Sequence, residues 1–337
     1  MRVLAGDIGG THARLIYLDD DPACPVRIVT RYASARYDGM DAVIEAFLHQ
    51  HDIRKPFDVA CFAVAGPVVS ATVSITNLPW EISTDALRAL LATESVFLIN
   101  DLVALAWAVP ELPSEQVVVL QQGERGLEPS PPCRAAVVGV GTGLGAAHLV
   151  WFRDHYTVFS SEAGHAGFAP ATAEQVRLLE WLRQQHNHVS IEMLLSGNGI
   201  HRLYRFFRDL PGVTESSRLA EQIAQADHPA ALISQHALAA DDALCTRTLS
   251  CFVELLGAAV GDIALHYFPL NAIYLAGGVA AGIAPLLADR RFLHALADKG
   301  PMQPHLQKLP VTLIMSGSAG LDGAVAYARR QCRCKHF

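Results

Sequence analysis

The sequence predicts a two-lobed α/β protein with a cleft between a small and a large domain, and three observations carry that expectation. The chain has 337 residues, more than one ordinary domain holds and fewer than three. Strand-like runs of Val, Ile and Leu alternate with helical patterns, the mark of an α/β chain. A short apolar strand, a glycine-rich segment and another strand occur together twice, around GDIGGT at 6–11 and GVGTGLG at 139–145, which reads as two related halves.

Residues 3–7, 13–18 and 26–32 are strand-like and open a sheet with antiparallel hairpins. A helical pattern covers 41–51. The almost continuous apolar run 59–65 is a buried strand, 84–91 is a helix capped by Ser83 or Thr84, and 95–99 is another buried strand. Residues 103–109 are helical and end against Pro110 and Pro113, which places the boundary of a small domain, 1–112. The large domain, 113–317, starts with a strand at 117–120, has a Pro-rich loop around 128–132 and repeats the opening theme over 135–152. Each glycine-rich segment runs from strand directly into strand, so each is a hairpin turn. Beyond 170 the pattern is mostly helical, at 174–185, 190–195, 230–240 and 243–266, with one more strand at 272–275 ending in Gly277 and Gly278.

Composition narrows the function classes. With 51% hydrophobic and 18% charged residues, the chain buries a large core and is not a disordered tail. The net charge is −7 and Lys and Arg are scattered, so no footprint for nucleic acid or an anionic membrane is expected and the partners are small molecules. The opening MRVLAGDIGG lacks the features of a signal peptide. The apolar stretches 135–152 and 255–288 are interrupted by Gly, or by Asp262, His266 and Pro269, and read as core. Seven cysteines in no framework spacing suit reduced thiols in the cytosol. Cys332, Cys334 and His336 offer too few ligands for a metal and read as a frayed tail.

A phosphate chain needs backbone N–H groups it can approach closely, and glycine permits that approach. The first turn offers Gly6, Asp7, Ile8, Gly9, Gly10 and Thr11, with Asp7 a partner for magnesium, directly or through water. The second offers Gly141, Thr142 and Gly143, and Gly277-Gly278 lets an adenine or ribose lie against bare backbone. Each alone is a tight turn; together on matching strand ends they favour a nucleotide site. No Lys stands in either loop, so the Walker A reading fails. The segment 141–146 fits G-x-G-x-x-A, but a strand follows it and not a helix, which weakens a dinucleotide site. Asn100 and Asp101 follow the strand at 95–99, where a carboxylate can serve as general base to a hydroxyl nucleophile; a helix N-cap is the competing and compatible role. Glu162 and His165 share i, i+3 spacing, suited to a metal or to paired sugar hydroxyls, with metal disfavoured by the glycines around them. Glu192 opens a helix after Ser190 and is a sugar ligand or a first-turn dipole residue. Asn77 is a turn residue before Pro79 or a sugar contact.

In order along the chain, GDIGGT, AGP at 65–67, TNLPW at 76–80, IND at 99–101, GTGLG at 141–145, EAGH at 162–165, VSIEMLLSG at 189–197 and LAGGV at 275–279 resemble the bacterial-type glucokinases of the hexokinase/actin-like ATPase superfamily. The resemblance spans nearly the whole chain. It implies the ribonuclease H-like/actin-like ATPase fold, ATP and Mg2+ as cofactors, glucose as acceptor and a cytosolic homodimer. It implies Asp101 as the base at the 6-hydroxyl, with Asn77, Asn100, Glu162, His165 and Glu192 on the sugar, the two glycine turns on the phosphates and Gly277-Gly278 on the adenosine. It also implies that a C-terminal helix near 321–331 completes the small domain, which then includes about 318–337. Two positions depart from the family pattern: Ala163 stands where E-G-G-H has Gly, and 317–320 replaces the commoner acidic or Asn segment before P-G. A sugar-sensing regulator on the same scaffold would need a DNA-binding segment, and none is expected ahead of residue 1.

Overall fold

The computed structural model describes residues 1–66, 68, 70–75, 78–124 and 133–334. Asn77, the loop expected at 128–132 and His336 lie outside the described residues. The chain forms two compact units, Met1–Leu112 with the C-terminal segment from Ser316, and Pro113–Met315.

The first unit contains β1 (Arg2–Ile8), β2 (His12–Asp19), β3 (Val26–Ala33), α1 (Met40–Gln50), β4 (Val59–Val64), β5 (Thr72–Ser74), β6 (Glu81–Ser83), α2 (Thr84–Leu91), β7 (Val96–Asn100) and α3 (Asp101–Ala108). Five strands lie in the order β3-β2-β1-β4-β7, antiparallel from β3 to β1 and parallel from β1 to β7. Side chains of a strand alternate between faces. In β1, Val3 and Ala5 therefore join one core, while Leu4 and Ile8 join another. The Leu4 face is covered by α1 and α2 through Val43, Ile44, Phe47, Leu87 and Leu91. Full burial of a residue such as Phe47 stabilises the unit by roughly 1.5–3 kcal/mol. Because both faces are covered, every residue of β4 is buried, which explains its unbroken apolar run. Helix α2 starts where the Ser83 hydroxyl accepts the Ala86 N–H and stops at Ala92, whose φ of 54° is left-handed.

The second unit contains β8 (Val117–Gln121), β9 (Arg134–Val140), β10 (Leu144–Phe152), β11 (His155–Ser161), α4 (Ala173–Arg183), α5 (Gly197–Arg208), α6 (Ser217–Gln225), α7 (Pro229–Ala239), α8 (Ala243–His266), β12 (Ala272–Ala276), α9 (Gly278–Gly282), α10 (Ala284–Leu287), α11 (Arg290–Ala297), α12 (Gln303–Leu306) and β13 (Val311–Ile314). Its sheet runs β11-β10-β9-β12-β13-β8. Helix α8 is long and apolar enough to cross a membrane, but 72% of its most apolar window is buried within the fold. Gly257 and Gly261 let α11 approach it closely, since an added Cβ would come within 2.4 Å of the Phe292 carbonyl and 2.3 Å of the Leu296 carbonyl. Helix α13 (Ala319–Cys334) belongs to the first unit. Its Leu321, Ala324, Val325 and Ala328 cover the Val3 face of the five-stranded sheet beside Ala104 of α3.

Both glycine segments are hairpin turns, joining β1 to β2 and β9 to β10. The helix expected at 190–195 is instead one 3-10 turn, Ile191–Met193. Ser190 makes no side-chain cap bond there, whereas the Ser196 hydroxyl accepts the Gly199 N–H and starts α5. Strands β5, β6, β11 and β13 and helices α5, α6 and α9 to α12 were not anticipated from the sequence pattern. Six of these ten, β5, β6, β13, α9, α10 and α12, have three to five residues, too short for a period to show, and α5 opens with two glycines.

Candidate active site

In the first unit, parallel strands β1 and β7 end beside each other's neighbour β4, and such carboxyl ends are where open α/β sheets bind ligands. Asp7 lies near the end of β1, directly across from Arg14 of β2. Burial pushes its carboxyl up, and the Arg14 guanidinium opposes that shift. The Arg14 guanidinium also donates to the Gly317 carbonyl ahead of α13. Gly320, in the first turn of α13, lies so close that a Cβ there would be 3.5 Å from the Asp7 carboxylate. Arg14 carries no motif of its own; the Asp7 to Arg14 register across a three-residue turn was the signal available.

Asn100 ends β7 and is the N-cap of α3. Its side-chain oxygen accepts the N–H groups of Leu102 at 2.9 Å and Val103 at 3.4 Å, and its amide donates to the Gly66 carbonyl at 3.1 Å. The Asn100 side chain also hydrogen-bonds the Asp101 carboxyl, which lowers it. Asp101 is the first residue of α3, and its carboxylate accepts the Leu102 N–H at 2.9 Å. Burial pushes the Asp101 carboxyl up to about 6; the Leu102 bond lowers it and the Asp7 charge raises it further. The cap and the acid are thus separate residues of the pair.

The glycines of the first motif divide by location. Gly6 pairs with Leu15 and Phe62 inside the sheet, and a Cβ there would be 2.8 Å from both side chains. Ile8 is fully buried. Gly9, Gly10 and Thr11 form the turn proper, closed by the Gly9 N–H donating to the His12 carbonyl at 3.0 Å.

In the second unit the turn is Gly141, Thr142 and Gly143. The Gly141 N–H donates to the Gly143 carbonyl, and the Gly141 carbonyl accepts the Gly197 N–H at the start of α5, both at 2.9 Å. Thr142 is exposed. Gly277 crosses the end of β9 with φ of 98°, and a Cβ there would be 2.3 Å from the Val140 carbonyl, so only glycine fits. Gly278 opens α9 with free space beside it. A Cβ added at Gly197 would lie 3.9 Å from Val279 and 4.0 Å from Ala230, so α5, α7 and α9 converge beside the second turn. These flanking residues escaped the motif search.

The segments that carry Glu162, His165 and Glu192 meet at the backbone of Leu144. The Glu192 carboxylate accepts the Leu144 N–H at 2.9 Å, and it sits where a Gly143 Cβ would be, 2.5 Å away. Gly164 packs on the other side, where a Cβ would be 2.0 Å from the Leu144 carbonyl. Gly164 lies in a second 3-10 turn, Ala163–His165, which Glu162 precedes and His165 ends, both exposed, with Oε2 and Nε2 3.8 Å apart. The two segments zip together through Phe168 N–H to the Val189 carbonyl and Ile191 N–H to the Ala166 carbonyl. His188 bonds the His165 carbonyl at 2.9 Å. The arrangement presents two carboxylates and an imidazole, the acceptors and donors that adjacent hydroxyls require.

These features define an enzyme of the ribonuclease H-like/actin-like ATPase fold, a phosphotransferase. A family model described as Glucokinase matches residues 4–331. A glucokinase of Nostoc sp. is 36% identical, covering 97% of this chain and 99% of that protein. One from Yersinia enterocolitica is 37% identical, covering 97% and 96%. The crystal structure of glucokinase from an Antarctic psychrotroph superposes with a TM-score of 0.81 at 33% identity, covering 98% of this chain and 99% of that one. The chain belongs to the glucokinase family.

Proposed function

We propose that this chain transfers the γ-phosphoryl group of ATP to the 6-hydroxyl of D-glucose, the entry step of glycolysis, with Asp101 as general base. The observation that carries the reading is Asp101 itself: a carboxylate in the first turn of α3, fixed by its bond to Leu102 and held at about 6. At neutral pH it is ionised, yet basic enough to take the hydroxyl proton as the O–P bond forms. The proton passes to Asp101, the 6-oxygen gains the phosphoryl group and ADP leaves.

Asn77, Asn100, Glu162, His165 and Glu192 bind the remaining hydroxyls. The turns 6–11 and 141–143 hold the phosphates, and Gly277-Gly278 holds the adenosine end. Magnesium fits the donor set, because Asp7 is a hard oxygen ligand and Mg2+ is commonly held by one or two carboxylates plus phosphates. It would be bound by Asp7, directly or through water, and would neutralise charge on the transferring group. A cytosolic homodimer with a small domain at 1–112 plus about 318–337 belongs to the same proposal, as does the absence of nucleic-acid or membrane partners.

The test is ADP release from magnesium-ATP with glucose, mannose, fructose, galactose and glucosamine, run beside Asp101→Ala. Turnover strongly favouring glucose and lost in the variant supports reaction, substrate and base. Unchanged turnover in the variant removes Asp101 from its role, and turnover on none of the sugars removes the substrate.

A further inference from the structure

We propose that Ser34 is a positioning residue that sets the first glycine turn for a phosphate chain, which rests on the nucleotide reading above. Ser34 follows β3 and is fully buried. Its N–H donates to the Thr11 carbonyl at 3.0 Å, and its hydroxyl donates to the Gly9 carbonyl at 2.9 Å. The first bond continues the β2–β3 pairing and any residue but proline could make it. The second depends on the side chain.

In a planar trans peptide the carbonyl and the following amide point in opposite directions. Holding the carbonyls of Gly9 and Thr11 toward Ser34 therefore aims the amides of Gly10 and His12 away from it. Two amides on one side of a glycine turn are the donors that an anion needs. The Gly9 N–H, on the His12 carbonyl, braces the same turn from within. Without the Ser34 hydroxyl the Gly9 carbonyl loses its partner and the Gly9-Gly10 peptide is free to rotate, since glycine resists neither sign of φ.

Ser34→Ala and Ser34→Cys test this, the second keeping the volume with only a weak donor. Calorimetric titration with ADP reads the turn without any turnover, and steady-state kinetics give KM for ATP and glucose separately. The expected result in both variants is nucleotide affinity weakened about tenfold, with KM for glucose and the melting temperature nearly unchanged. Unchanged ADP affinity overturns the proposal. So does equal weakening for sugar and nucleotide with a lowered melting temperature, the mark of a merely structural residue. An unsubstituted chain that binds ADP but phosphorylates no sugar, with weaker ADP binding in the variants, upholds Ser34 while the glucose reading falls. An unsubstituted chain that binds no nucleotide ends both.

Discussion

Replacing Asp101 by asparagine should make the protein more stable while it abolishes turnover. Folding moves the Asp101 carboxyl from its ordinary 3.8 to about 6, roughly two units, and each unit is about 1.36 kcal/mol. The folded state therefore binds the proton more tightly than the unfolded chain does. Stability from this group is fully present below about pH 4 and is lost as pH rises through about 6. Near neutrality the ionised side chain costs up to ~3 kcal/mol, reduced toward ~1 by the solvent it still meets. Asparagine stays neutral, keeps an oxygen for the Leu102 N–H and ends the repulsion from Asp7. Urea unfolding of the two proteins from about pH 4 to pH 8 checks the sign. The variant should gain nothing at the acid end and about 1–3 kcal/mol at the alkaline end. A gain that is equal at both ends, or absent at the alkaline end, refutes burial as the cause of the shift.

Three further outcomes are expected. The rate kcat/KM for glucose should fall about tenfold per pH unit below about 6, because Asp101, as the proposed base, accepts the hydroxyl proton only when ionised; a profile flat down to about pH 5 would exclude it as the titrating base. Gly164→Ala drives a Cβ into the Leu144 carbonyl and should displace Glu162 and His165, raising KM for glucose by one to two orders of magnitude with ADP binding little changed in titration. Gly323→Ala puts a Cβ 1.7 Å from the Ala104 carbonyl; overpacking of about 1–3 kcal/mol should appear as a melting temperature several degrees lower, accompanied by reduced kcat because α3 starts at Asp101.

The strands that deliver the glycine turns and Asp101 were readable because their burial pattern is extreme. β4 is apolar throughout, and β1 and β9 run straight into glycine. The boundaries of α2 and α8 were also readable, where Ser83 and Asp242 cap the first turns. Helix α5 was not, although Ile200, Leu203, Tyr204 and Phe207 form a buried stripe at helical spacing. Gly197 and Gly199 in its first turn argue against a helix by propensity. Packing reverses that argument: a Cβ at Gly199 would be 2.2 Å from the Leu194 carbonyl, so the glycine admits the preceding turn.

What the motifs leave out is the support of the site, and the reason is chemical. Asp101 announces itself as a carboxylate directly after an apolar strand, Glu162 and His165 as a carboxylate and an imidazole three residues apart around a glycine, and Glu192 by its place after Ser190. The site is supported by groups every residue possesses: the N–H of Leu102, the N–H and carbonyl of Leu144, the carbonyl of Gly9 and the carbonyl of Ala104. Such supports leave a trace in the sequence only as an absence of side chain at Gly164 and Gly323, or as a small hydroxyl at Ser34. Glu192 makes the point most sharply. Its place after Ser190 suggests a charge at a helix start, yet there is only a 3-10 turn, and its carboxylate is spent on the amide that follows the second glycine turn. As the proposed sugar ligand, Glu192 is tied to the loop proposed for the phosphates, so a ligand drawing it off Leu144 would alter both.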